Sequence, residues 1–156
     1  MPGIGMLSVE DQMAIEGHLK DFLNKAEAQW AALVDRGGNL FAEYGKIGAL
    51  DVSILSALAA GSFAATRELA KRLGEDEFTA LYHEGASISI LMTSLHFDCL
   101  LLTVFGEKTN IGLVRFYTQQ AAATLNVALK TASDAAAHIE PLQVDSEFSG
   151  EQSIIR

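Results

Sequence analysis

The chain has one cysteine, few basic residues and no apolar run of bilayer length, and each shortage closes a class of function. Cys99 alone makes no internal disulfide, and it lies in an apolar run, so a small core residue in a reducing compartment is expected. Eleven basic against twenty acidic residues leave a formal charge of −9. That argues against nucleic acid or an anionic membrane as the main partner, because both need a basic surface. The most apolar helical window, Ile54 to Ala65, is well short of the ~20 residues a bilayer needs. Met1 to Ser8 carries no basic segment and no long apolar core, so no signal peptide is read there. The expectation is a soluble, cytoplasmic protein without membrane insertion.

Chemical motifs are equally scarce. Gly106-Glu107-Lys108-Thr109 sits where a P-loop would, between an apolar run and a helical pattern. A Walker A loop needs a glycine directly before the lysine, and here Glu107 intervenes. No glycine stands five residues before Gly106, and a carboxylate in the loop would repel a triphosphate. The stretch therefore reads as a bend. His18, His83, His96 and His138 show no metal-ligand spacing, and Ser87 stands where a second histidine would complete His83-Glu84 as a zinc motif. No G-x-S-x-G occurs, and Cys99 has no positioned base. The N-terminal "GIGM" is no dinucleotide fingerprint. No catalytic centre, metal or cofactor is expected.

What is present is a folded globule. A length of 156 residues, 49% hydrophobic and 20% charged, fits one domain with a real core. Ser8, followed by Glu10 and Asp11, opens a helix to about Ala28. Gln29 to Asp35, the turn "RGGN" and Leu40 to Lys46 form a β-hairpin. Asp51 caps a second helix, Val52 to Leu73, which Gly74 ends. "TALYHE", "SISILMTSL" and "CLLLTVF" read as strands, the last two joined by a tight turn at His96, Phe97 and Asp98. Thr109 or Asn110 caps a third helix running to about Ala136. Residues 1–7 are an extension, 8–138 the domain, and the polar end, 139–156, a loosely held tail. The order is α-β-β-α-β-β-β-α, an α/β (α+β type) fold of five antiparallel strands whose faces three helices can cover.

The second helix is unusual. Ile54 to Thr66 carries no charge over thirteen positions and is rich in small residues: Ala57, Ala59, Ala60, Gly61, Ser62, Ala64, Ala65. A helix apolar nearly all round implies burial on two sides. Either it lies deep in a monomer's core or it meets a second subunit, and a chain of this size favours the subunit interface. Gly61 costs roughly 1 kcal/mol against alanine in a helix interior, a penalty that close contact would offset.

Several stretches together carry a resemblance: "WAALVDRGGNLFAEYG", "LAAGSFAATRELAKRLGEDEFTALYHEG", "ILMTSLHFDCLLLTVFGEKTNIGLVRFY" and "QQAAATL". They are similar to the Roadblock/dynein light-chain family, in particular to bacterial gliding-motility regulators of a Ras-like small GTPase, over about residues 8 to 136. The resemblance implies the profilin-like Roadblock fold, and it implies that the turn at Gly106 binds no nucleotide. It also implies a homodimer with antiparallel central helices and sheets meeting edge to edge. Ala57, Gly61 and Ala65 would form that interface. Two subunits would bind one GTP-loaded GTPase through Ala60, Ala64, Arg67, Glu68 and Lys71 and stimulate hydrolysis with no inserted side chain. The family often has a small residue near the positions of Glu68 and Lys71. By pattern Arg36 and Arg67 are the best exposed arginines, while Arg72 and Arg115 are placed to pair with acids. The alternative is a scaffold or sensor subunit that holds a GTPase or motor complex without accelerating anything.

Overall fold

Trp30 to Val34 is buried at every position, and that continuous burial sets the architecture. A strand buried on both faces must lie in the middle of a covered sheet. In the computed structural model, which describes residues 7–138, this strand is one of three interior strands of the sheet. The expected tail and most of the expected N-terminal extension lie outside the described residues.

The elements are α1 (Val9–Ala26), β1 (Trp30–Asp35), β2 (Leu40–Gly45), α2 (Val52–Arg72), β3 (Ala80–His83), β4 (Ser89–Ser94), β5 (Cys99–Phe105) and α3 (Ile111–Ala137). The five strands form one sheet in the order β2-β1-β5-β4-β3, every neighbouring pair antiparallel. This is the expected order and class.

Period-two alternation divides the core. Ala31, Leu33, Cys99 and Leu101 face α1 and α3, where they meet Ile15, Leu19, Phe22, Leu125 and Leu129. Trp30, Ala32, Val34, Leu100, Leu102 and Val104 face α2, where they meet Ala59, Ala60 and Phe63. Two helices therefore cover one face and a single helix covers the other. Cys99 is fully buried, as a core residue should be, and its thiol is pushed up to about 12 by that burial and then by the nearby carboxylates of Asp35 and Asp98.

Local chemistry fixes the ends. Ser8 Oγ accepts the Asp11 amide to start α1. The helix stops at Ala26, short of Ala28, because Glu27 turns left-handed at φ 57°. Asp51 Oδ1 accepts from the amides of Ser53 and Ile54 at 3.0 and 3.3 Å. Gly74, at φ 87°, closes α2 while its amide donates to Lys71 O and the Glu75 amide donates to Ala70 O, the paired bonds of a Schellman turn. Of the two candidate caps for α3, the structure uses Asn110, whose Oδ1 accepts from the Leu113 amide at 3.0 Å.

Two turns meet at one end of the sheet because Asp35 pairs with Cys99 across β1 and β5. In the β1–β2 turn, Asp35 accepts from both the amide and the side chain of Asn39. Gly38 there has φ +85°, and a Cβ on it would lie 2.6 Å from Ala57 Cα, so the turn docks on the backbone of α2. In the β4–β5 turn, Phe97 and Asp98 are both left-handed, and Asn126 of α3 accepts the His96 amide at 2.8 Å.

Candidate functional site

α2 rests on the sheet through Ser56, Ala59, Ala60 and Phe63, and only the last of these is large. Ser56 turns its hydroxyl back to Val52 O at 2.7 Å, so no buried polar group faces the strands. Phe78 packs on Phe63 with ring centroids 4.9 Å apart. Of the two sequence alternatives for α2, burial deep in a monomer's core is not what the described residues show. The helix is buried on one side, and its opposite side is open. Among the described residues, no second layer stands there.

The open side is apolar. Ile54, Leu58, Gly61, Ala65 and Leu69 follow one another at three- and four-residue steps, so they form one stripe. All are exposed. Nothing lies within 4 Å of a Cβ built on Gly61. Of the three residues expected at a dimer interface, Gly61 and Ala65 belong to this stripe, and Ala57 is exposed beside it, against the β1–β2 turn. The bulky members Ile54, Leu58 and Leu69 escaped the sequence reading, which followed the small residues. Their helical spacing was the available signal.

The five residues expected to bind a partner lie on a neighbouring flank. Ala60, Ala64, Arg67, Glu68 and Lys71 all line a cleft of ≈ 200 Å³ beside α2. Ala60 is buried at its floor and offers no open surface. The rest of the wall comes from Phe63, Leu100 and Ser94, and from the two turns, through Arg36 and Asp98. Sequence spacing signals none of these last contributions, because they depend on which strands are neighbours.

The arginines correct part of the pattern-based reading. Arg36 is exposed as expected, and it pairs with Asp98 at 2.7 Å. Arg67, also expected to be well exposed, is half-buried with its guanidinium 5.3 Å from the Phe63 ring centroid. Its polar contact is Ser94 Oγ at 3.5 Å. Arg72 does pair with an acid, Glu68, at 3.6 Å. Arg115 does not; it lies 5.7 Å from the Tyr82 ring, because α3 passes beside β3. The two ion pairs are exposed, and each contributes about 0–1 kcal/mol.

The Gly106 turn is closely packed. A Cβ at Gly106 would lie 3.2 Å from Gln29 Nε2 and 3.3 Å from Ser87 O. Thr109 donates its amide to Gly106 O at 3.4 Å, and the first-turn amide of Leu113 is taken by Asn110. The stretch makes the bend from β5 into α3. Among the described residues, no helix is long and apolar enough to cross a membrane.

The comparisons agree with this geometry. Residues 14–105, well over half of the chain, match the Roadblock/LC7 domain. Myxococcus xanthus MglB is 32% identical with a TM-score of 0.75, and the match covers 82% of this chain and 96% of that one. The gliding protein MglB from Thermus thermophilus is 27% identical with a TM-score of 0.75, over 84% of this chain and 99% of that one. A solved MglB with tetrameric arrangement is also 27% identical, with a TM-score of 0.78, over 85% and 99%. Acanthamoeba castellanii profilin IB, 16% identical with a TM-score of 0.54 over 72% and 96%, shares the fold alone. No curated protein matches the chain. The chain belongs to the Roadblock/LC7 family.

Proposed function

We propose that the chain is a homodimeric regulator of a Ras-like small GTPase, which binds the GTP form and stimulates hydrolysis in cell polarity or motility. The observation that carries this reading is the exposed stripe Ile54, Leu58, Gly61, Ala65 and Leu69 beside the charged cleft. A two-fold interface is self-complementary, so one apolar stripe serves both subunits. In such a dimer the cleft-lining flank of α2, with Ala64, Arg67, Glu68 and Lys71, is left to meet the GTPase. The similarity to MglB proteins supports this choice of partner.

The chain acts on the reaction without a catalytic centre of its own. An inserted arginine is worth 10³–10⁵ in GTPase rate. Here Arg36, though exposed, is paired with Asp98, and Arg67 is half-buried on Phe63. Binding energy at the paired α2 helices instead selects a hydrolysis-competent state of the GTPase. The shift can be no larger than the difference in affinity for the two states.

The test mixes the full chain with the Ras-like GTPases of its host and measures complex formation and hydrolysis together. Arg67→Ala or Lys71→Ala should weaken the complex, and saturating protein should restore most of the rate. Loss of hydrolysis at saturation with the complex intact would mean that an arginine is donated after all. A stable complex with no rate increase would favour the scaffold.

A further inference from the structure

The cleft beside α2 gathers positive charge in a chain whose balance is strongly negative. Arg36, Arg67 and Lys71 line it against Glu68 and Asp98. Both carboxylates are already engaged, Asp98 by Arg36 and Glu68 by Arg72. Among the described residues, neither Arg67 nor Lys71 has a carboxylate at ion-pair distance.

Arg67 is the better placed of the two. A guanidinium presents five N–H donors in a planar fork. Here the ring of Phe63 supports its face, and Ser94 Oγ at 3.5 Å is the one acceptor, at the outer limit of a hydrogen bond. The fork is held in position with most of its donors unused. Phe63, Leu100 and Ala60 give the cleft an apolar floor suited to methylene groups.

We propose that this cleft receives an acidic side chain of the protein partner, with Arg67 meeting its carboxylate and Lys71 adding charge at the rim. The proposal rests on the reading that a protein binds along this flank of α2. A guanidinium matches a carboxylate through two parallel hydrogen bonds. Glu68 and Asp98 stand in the same wall and would repel the two charges concentrated on one phosphate more than the single charge of one carboxylate group. A glutamate fits best, because its methylenes can lie on Phe63 and Leu100 while its carboxylate reaches Arg67.

The first arm of the test needs no partner. The isotopically labelled full chain is titrated with glutarate, with neutral glutaramide and with inorganic phosphate, and NMR follows the Arg67 side-chain N–H and the Leu100 amide. Glutarate should give saturable shifts that weaken several-fold in Arg67→Gln and to a smaller extent in Lys71→Gln. Lys71 is exposed, so that second variant keeps its fold. An equal response to glutaramide, or a response to phosphate alone, would overturn the proposal. The second arm measures affinity for the GTPase. Arg67→Gln should weaken the complex by about tenfold or more, as expected for a lost hydrogen bond to a charged group, and Arg67→Lys should recover part of it. Unchanged affinity in Arg67→Gln would overturn the proposal while leaving GTPase binding in place. Loss of the homodimer in that variant would assign the carboxylate to a second copy and overturn the choice of partner. If the wild type bound glutarate at Arg67 but no GTPase, the regulator reading would fall and the carboxylate preference of the cleft would stand.

Discussion

α2 and α3 are both long, apolar and rich in alanine, yet they place their apolar surface differently. α3 buries Val114, Thr118, Ala121, Leu125, Leu129 and Ala132, because it packs beside α1 on the sheet and meets both. α2 has the sheet on one side and, among the described residues, open surface on the other. Of its large apolar residues Phe63 is buried, while Ile54, Leu58 and Leu69 remain 59%, 67% and 57% exposed. The difference separates two uses of an apolar helix. On α3 the large apolar residues left open are Phe116 and Val127, while α2 leaves a continuous stripe that no other described residue covers.

The largest effect should come from a deletion in α3. Leu125 is fully buried, so Leu125→Ala should cost about 2–5 kcal/mol through lost transfer energy and the cavity left behind. Leu58→Ala should change the stability of the separate subunit by no more than about 0.5 kcal/mol, since no core contact is lost. Urea titrations at concentrations where the subunits are dissociated would compare the two. Equal losses would mean that α2 is packed within the subunit more tightly than its exposure indicates.

The next effect concerns assembly. Gly61 has open space where a side chain would stand, so Gly61→Arg should leave the subunit folded. If the stripe pairs with a copy of itself, two arginines would be brought together at the two-fold axis, and the dimer should dissociate. Light scattering at micromolar concentration checks this. The wild type should have the mass of a dimer and the variant that of a monomer, with unchanged circular dichroism. A monomeric wild type would break the contrast between the helices, because the stripe would then be open surface and no more.

Much of this contrast was legible in the sequence, and the exceptions have a common cause. The apolar runs marked the strands as needing cover on both faces, and Ser8, Asp51 and Gly74 marked helix ends through hydrogen bonds that lie close in the chain. The uncharged stretch Ile54 to Thr66 marked α2 as the element with surplus apolar surface. What could not be read was the cleft. It joins Arg67 and Lys71 on α2 to Arg36 and Asp98 on two turns, and those turns meet only because β1 lies beside β5. The exposure of Arg67 and the pairing of Arg115 were misjudged for a related reason, whereas Arg36 is exposed as expected. Ser94 beside Arg67 and Tyr82 beside Arg115 come from other elements, while Phe63, four residues before Arg67 on α2, lay within reach of helical spacing. Helical or strand spacing records which face a residue occupies. It does not record what stands opposite.

The smallest effects should appear where the two helices begin, and they separate a structural turn from a binding loop. Asp51 at α2 and Asn110 at α3 each satisfy amides of the first turn. Replacing a cap by alanine costs about 0.5–2 kcal/mol, so Asp51→Ala and Asn110→Ala should be destabilising by similar amounts. Lys108 stands two residues before the α3 cap, is exposed and makes no ion pair among the described residues. In a phosphate-binding loop the lysine would be the residue that matters most, and its removal would leave stability intact while abolishing nucleotide affinity. In a bend the weight falls the other way. Asn110 holds the Leu113 amide, Gly106 fits between Gln29 and Ser87, and Lys108 only faces water. Lys108→Ala should therefore match the wild type in urea denaturation and in any stimulation of a GTPase. Calorimetry with ATP or GTP should give no binding heat for either protein. Micromolar nucleotide affinity that disappears in Lys108→Ala would make the α3 end a ligand site and reverse the contrast, with α2 the passive helix.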